Sequence, residues 1–166
     1  MILAVDVHYQ KAAAKAVGVL FENWNDSEPA QIISSALDNI SEYEPGSFYK
    51  RELPCILELL KLVDLNKIKT VVIDGYVYLD DDKKPGLGHY LYKSLNEKIP
   101  VIGVAKTSFA GNKKYVKEIY RGQSKTPLFV TAAGIDLQET ADNISKMHGG
   151  FRIPTLLKLL DINTKI

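Results

Sequence analysis

The chain is 166 residues long with a formal net charge of +1, enough to bury a two- or three-layer core and too near neutrality either to demand or to exclude a polyanionic partner. Its single cysteine, Cys55, excludes an intramolecular disulfide and any Cys-rich zinc site. No apolar run approaches the roughly 20 residues of a membrane span, and Met1 to Val7 is short, lacks a basic leader and contains Asp6, so no signal peptide is read there. A lone thiol without an export signal makes the cytoplasm the expected compartment.

In chain order, Ile2 to Tyr9 reads as an apolar, β-rich strand interrupted by Asp6. Lys11 to Phe21 returns beside it as a hairpin, because Val17-Gly18-Val19-Leu20-Phe21 outweighs the helix-permissive Ala12-Ala13-Ala14. Asn23 to Pro29 is a turn by composition, and Ala30 to Leu37 completes an antiparallel meander. Trp24 in that turn marks either a contact surface or a cover for the sheet edge. Glu42-Tyr43-Glu44-Pro45-Gly46 is a turn cluster. From Ser47 to Val63, the residues Ile56, Leu57, Leu59, Leu60 and Val63 mark one apolar helix face, with Pro54 expected in the first turn or at a kink. Glu52 then lies near the helix start, where any carboxylate is electrostatically welcome.

Thr70 to Asp74 is a buried strand that delivers Asp74 to the rim of the sheet. In the polar loop Gly75 to Lys84, Asp80-Asp81-Asp82 lacks the Gly and Glu spacing of an EF-hand loop and reads as solvated. Pro85 to Glu97 forms a helix, and Val101 to Ala105 a second fully buried strand that ends at Lys106. Strand, helix and strand with short connections imply a right-handed parallel crossover. Asp74 and Lys106 are thereby set at one end of the sheet, where open α/β sheets place their ligands. Glu118 to Gly122 and Leu128 to Ala132 read as further strands, and Leu137 to Met147 and Pro154 to Leu160 as helices. Asp136 caps the former, as an N-cap rather than an oxygen ligand, and His148-Gly149-Gly150 ends it. The expectation is one α/β domain over residues 1–166, its mixed sheet combining an antiparallel meander with parallel strands and flanked by helices.

Asp6, Glu52 and Asp74 converge in this reading. Clustered carboxylates repel one another and cost desolvation energy unless a cation neutralises them, so the triad predicts Mg²⁺ or Mn²⁺. Phosphodiester hydrolysis uses that arrangement, with one or two ions orienting a water and stabilising charge on the departing oxygen. Lys106 at the same rim adds a positive charge aimed at a phosphate, or is ordinary surface charge.

Val5-Asp6-Val7-His8-Tyr9, then Tyr43-Glu44-Pro45-Gly46 with Arg51-Glu52-Leu53-Pro54, then Val72-Ile73-Asp74-Gly75, then Ile102-Gly103-Val104-Ala105-Lys106 resemble, in that order, the motifs of the endonuclease V family. Weaker echoes are Pro127-Leu128-Phe129-Val130-Thr131 and Arg152-Ile153-Pro154-Thr155. The resemblance implies a ribonuclease H-like fold and metal-dependent cleavage of DNA or RNA one phosphodiester beyond a deaminated base, typically inosine, leaving a 3′ hydroxyl. It implies that Asp6, Glu52 and Asp74 are the catalytic, metal-binding acids and Lys106 the active-site lysine. Tyr43, Pro45 and Gly46 match the turn the family uses as a wedge beside the lesion, and Gly75 matches a substrate-binding glycine. A ring at position 43 is able to fill the gap left by an unstacked base, or is an ordinary half-buried turn tyrosine.

The chain departs from the family pattern in two places. Gly75 is followed by Tyr76-Val77 and then by Asp80-Asp81-Asp82, where relatives carry histidine and basic residues. After the last strand, Thr131-Ala132-Ala133-Gly134-Ile135-Asp136 lacks the family's glycine-histidine pair. His8, His89 and His148 have no ligand spacing that would replace it. Lys50, Arg51, Lys106, Lys113, Lys114 and Lys117 are candidates for holding phosphates. The leading reading is therefore a monomeric nuclease acting on DNA or RNA with deaminated bases. The alternatives are a nucleic-acid-binding domain of the same fold with weakened catalysis, or a nuclease for another structured substrate such as a junction or an RNA·DNA hybrid.

Overall fold

The computed structural model describes residues 1–11, 13–38 and 48–166. Its strands form one mixed sheet. β1 (Ile2–Gln10), β2 (Ala13–Phe21) and β3 (Gln31–Asp38) make the antiparallel meander. β4 (Thr70–Asp74) and β5 (Val101–Ala105) continue it parallel to β1. β7 (Leu128–Ala133) then runs antiparallel to β5, and β6 (Lys117–Ile119) forms the far edge. The spatial order is β3-β2-β1-β4-β5-β7-β6, the mixed sheet expected from the strand patterns.

Both faces are covered, which explains why β4 and β5 are continuous apolar runs. Leu3, Val5, Val71 and Ile73 pack against Cys55, Ile56 and Leu59 of α1 (Phe48–Leu60) and Leu91 of α2 (Leu87–Ser94). Ile2, Ala4, Val72, Ile102 and Val104 pack against Ala141 and Ile144 of α3 (Leu137–Ser145) and Leu156 and Leu160 of α4 (Thr155–Thr164). Alternate residues of each strand thus serve opposite layers.

Several boundaries differ from the sequence reading. Pro54 lies in the second turn of α1, not the first, inside a helix that runs through it. α2 ends at Ser94 instead of reaching Glu97, because Asn96 and Glu97 take positive φ values of 56° and 58°, outside any right-handed helix. α3 ends at Ser145, which leaves His148-Gly149-Gly150 in the connection to α4. α4 continues past Leu160 to Thr164 and so includes Asp161. Trp24 lies edge-on to Phe21, with ring centroids 6.1 Å apart, and covers the sheet. Tyr43, Pro45 and Gly46 fall outside the described residues. Among the described residues, no helix is long and apolar enough to cross a membrane.

Candidate active site

Three neighbouring strands carry the same local pattern, two apolar residues on the α4 face followed by a polar residue at the rim. On β1 these are Ile2, Ala4 and Asp6, and on β4 Thr70, Val72 and Asp74 follow the same alternation with a threonine in the first place. On β5 and just beyond it they are Ile102, Val104 and Lys106. The register pairs Ala4 with Val72 and Asp74 with Val104. Continuing it past the Val5–Ile73 pair sets Asp6 beside Asp74, and Lys106 stands one pleat further out. The Lys106 ammonium lies 3.8 Å from Asp74 Oδ2. Asp74 and Lys106 thus stand together at one end of the sheet, as a parallel crossover requires.

The turn leaving β4 is fastened from several sides. Gly75 takes φ +139°, a conformation that L side chains rarely adopt. Its amide donates to Val104 O at 3.2 Å, and the Val77 amide donates to the buried Thr131 hydroxyl at 2.9 Å. Gly103 admits this turn against β5, since a Cβ there would lie 2.4 Å from Gly75 O and 2.5 Å from Thr131 Oγ1. The glycine is therefore required by close approach of the backbone that carries Asp74.

The acids sense one another. Asp6 is pushed up to about 7, first by burial and then by the charge of Asp74, with Asp161 adding to it. Glu52, which reaches this region from α1 on the opposite face of the sheet, is pushed up to about 8 by burial and by Asp6 and Asp74. Asp74 is raised by partial burial, against the pull of Lys106. Arg51, stacked 3.8 Å over the Tyr9 ring, partly offsets the rise of Glu52.

One residue was missed by the sequence reading. Asp161 lines the same pocket as Asp6, Asp74 and Lys106, together with Ile153, Pro154 and Leu157. Its carboxyl is held below the usual range by Lys165, with Lys106 and Lys158 contributing. The available signal was that Asp161 follows Leu157 by four residues and so shares its helix face. That signal became visible only once α4 was seen to extend through it. Asp136 is not the replacement ligand: its carboxylate caps α3 by accepting from the Glu139 amide at 2.9 Å.

The remaining candidates are distributed differently. Asp81 accepts from the amides of Lys113 and Lys114 at 2.6 and 2.8 Å, and Asp80 from those of Asp82 and Lys84 at 2.9 and 3.0 Å. Asp81 therefore clamps two loops together and Asp80 closes its own. His8 faces a separate pocket with Lys15 and Ile166, and His148 pairs with Thr155 at 2.9 Å. Lys113, Lys114 and Lys117 are exposed.

The donor set suits a hard divalent cation in its chemistry: carboxylate oxygens only, each raised by burial or by its neighbours, and a cation would relieve both costs. Among the described residues, no three His, Cys, Asp or Glu side chains already converge at ligand geometry. Asp6, Glu52 and Asp74 thus share an electrostatic environment without sharing a formed coordination sphere.

Comparison with known proteins bears on the fold and the family. Residues 1–142 match the family model for endonuclease V. No curated protein sequence matches the chain. Among solved structures, endonuclease V of Streptomyces avermitilis superposes with a TM-score of 0.78 at 21% identity, covering 99% of this chain and 79% of that one. The human enzyme gives 0.76 at 19% identity, with 99% and 82% covered. A variant of Ciona intestinalis endonuclease V, in complex with DNA containing an inosine followed by a ribo-adenosine, gives 0.76 at 20%, with 99% and 83% covered. At these identities the structural likeness establishes the ribonuclease H-like α/β fold, and the match of sequence over most of the chain establishes kinship: this protein belongs to the endonuclease V family.

Proposed function

We propose that the protein is a Mg²⁺- or Mn²⁺-dependent endonuclease that hydrolyses a phosphodiester bond near a deaminated base, inosine above all, in DNA or RNA. The observation that carries this reading is the meeting of Asp6, Asp74 and Lys106 at one rim of the sheet, with Glu52 coupled to both acids. Family membership and the inosine-containing DNA bound by the Ciona relative support the choice of substrate.

Asp6, Glu52 and Asp74 are the residues that would hold the ion, and Asp161 lines the pocket that Asp6 and Asp74 open into. When bound, a divalent ion supplies Lewis acidity toward water and phosphate oxygen. Water adds to phosphorus and the P–O3′ bond breaks, giving a 3′ hydroxyl and a 5′ phosphate. Lys106 presents its ammonium where negative charge grows on the phosphate in the transition state. Gly75, free of a side chain and held by Val104, lets nucleic acid approach the backbone at the exit of β4. Tyr43, Pro45 and Gly46 are the proposed wedge that fills the stack behind an extruded base. We take residues 1–166 as one such domain acting as a monomer, and its lone, buried thiol suits the reducing cytoplasm.

The test uses end-labelled single- and double-stranded DNA and single-stranded RNA, each with one inosine, incubated with protein in Mg²⁺, Mn²⁺ or EDTA. The expected result is a nick beyond the inosine that requires metal and is absent from inosine-free strands. Intact strands in every condition, with folded protein that still retards them in a gel, would replace this reading with that of a binding domain.

A further inference from the structure

Two arginines outside the acid cluster form a continuous clasp that ends on Lys106. Arg121 is 5% exposed, and its guanidinium is wrapped by the chain between α3 and α4. Nη1 donates to Phe151 O at 2.6 Å and Arg152 O at 3.3 Å, and Nη2 to Met147 O at 2.5 Å and Gly149 O at 3.1 Å. That connection carries Arg152, whose own guanidinium turns to the sheet. Arg152 Nη2 donates to the carbonyl of Lys106 and, at 2.7 Å, to that of Pro127, which Nε also approaches at 3.3 Å.

The sequence explains why the strand ends rely on side-chain donors there. β5 and β7 pair Ala105 with Phe129, and the same register carried outward sets Lys106 against Leu128 and Thr107 against Pro127. Proline has no amide hydrogen, so the ladder loses its donor where the site begins. The carbonyl opposite Pro127, Thr107 O, accepts instead from the Tyr76 hydroxyl at 2.7 Å, and Arg152 ties the two strand ends together by donating to both Lys106 O and Pro127 O. A planar fork is able to serve two carbonyls at once, whereas a lysine ammonium offers a single mobile point charge.

We infer that Arg152, seated by Arg121, is a positioning residue for Lys106: it fixes the backbone at the end of β5 and so the place of the ammonium beside Asp74. The same connection leads through Pro154 into α4, so the clasp also ties the helix that carries Asp161 to the rim. The kinetic part of this inference rests on the nuclease reading above; the spectroscopic part does not.

Two measurements test it. The first is a double-mutant cycle of single-turnover nicking with Arg152→Ala and Lys106→Met. Misplacing Lys106 lowers the rate ~10- to 100-fold in the protein that retains it, and Arg152→Ala lowers it less than ~2-fold once Lys106 is gone. Arg152→Lys is expected to behave like Arg152→Ala. Equal losses in both backgrounds, full rescue by lysine, or a rise in KM and a shallower salt dependence at constant kcat would each overturn the inference, the last by making Arg152 a phosphate contact. The second is NMR of protein bearing ¹³C-dimethylated lysines, with Lys106 assigned by Lys106→Arg. In Arg152→Ala the Lys106 resonance moves while those of Lys113 and Lys114 stay, and an unmoved Lys106 resonance overturns the inference. Arg152→Gln serves where the alanine variant does not fold. A protein that cuts no strand but shows the Lys106 shift retires the nuclease reading and sustains the clasp.

Discussion

Lys106 Nζ and Asp74 Oδ2 stand 3.8 Å apart across the adjacent parallel strands β4 and β5, and both side chains are about two-fifths exposed, at 43% and 40%. A pair so open to solvent contributes only ~0–1 kcal/mol to folding. On the proposed reading, its role is to place a cation beside an acid where a phosphate would arrive. Lys106→Met is therefore expected to shift Tm by no more than ~2–4 °C while lowering the nicking rate on the order of 10²–10³-fold. Thermal melts beside single-turnover assays check this. A melt that collapses along with activity would reassign Lys106 to structure.

Asp74→Asn removes a negative charge that raises both Asp6 and Glu52. Both carboxyls are expected to titrate lower than about 7 and about 8 in the variant, observed by ¹³C NMR of the side-chain carboxyls. Nicking is expected to fall on the order of 10²–10³-fold, with fold retained.

The raised acids set the sign of the pH dependence of stability. Asp6 and Glu52 hold protons in the folded state up to about 7 and about 8. In the unfolded chain they release them near the ordinary carboxyl value of ~4. Between those limits the folded state binds more protons, so stability falls as pH rises from ~4 to ~8. In EDTA, Tm is expected to be lower at pH 8 than at pH 5. Added Mg²⁺ is expected to restore it at pH 8 and to change little at pH 5, since the ion binds the deprotonated groups.

Gly103 and Thr131 support the acid through the backbone that leaves β4. Gly103→Ala drives a methyl group into Gly75 O and Thr131 Oγ1, and costs ~1–3 kcal/mol of stability. Thr131→Val leaves the buried Val77 amide without its acceptor, also at ~1–3 kcal/mol. Urea denaturation measures both. The two losses together are expected to fall short of their sum in the double variant, because the substitutions touch the same turn.

Asp161→Asn tests the pocket residue contributed by α4. The metal concentration giving half-maximal nicking is expected to rise ~10- to 100-fold, with saturated activity less affected. An unchanged metal dependence would leave Asp161 as a helix-face acid paired with Lys165 and Lys158.

How much of this was legible in the residues differs element by element. The strands β1, β4, β5 and β7 were readable because their signal is local: apolar, β-rich runs bounded by turns, with the polar interruption at Asp6 and the polar ends at Asp74 and Lys106 visible in the runs themselves. The edge strand β6, Lys117–Ile119, carries no such run, and the sequence reading placed it at Glu118 to Gly122. The crossover from β4 to β5 was also readable, since handedness and short connections leave few topologies. The Asp136 cap followed from an acid placed directly before an amphipathic helix.

Asp161 and the Arg121–Arg152 clasp were not readable, for a physical reason. A helix sequence indicates which of its faces is apolar, but the rim over which that face settles is set by packing between layers distant in sequence. Likewise, the carbonyls that Arg152 serves belong to residues 46 and 25 positions away, and nothing in the neighbourhood of Arg152 identifies them. The strand residues by themselves determined an α/β sheet with acids and a lysine at its edge. The tertiary structure alone decided that α4 brings a further acid to that edge, and that Arg152 ties the ends of β5 and β7 together beside Pro127.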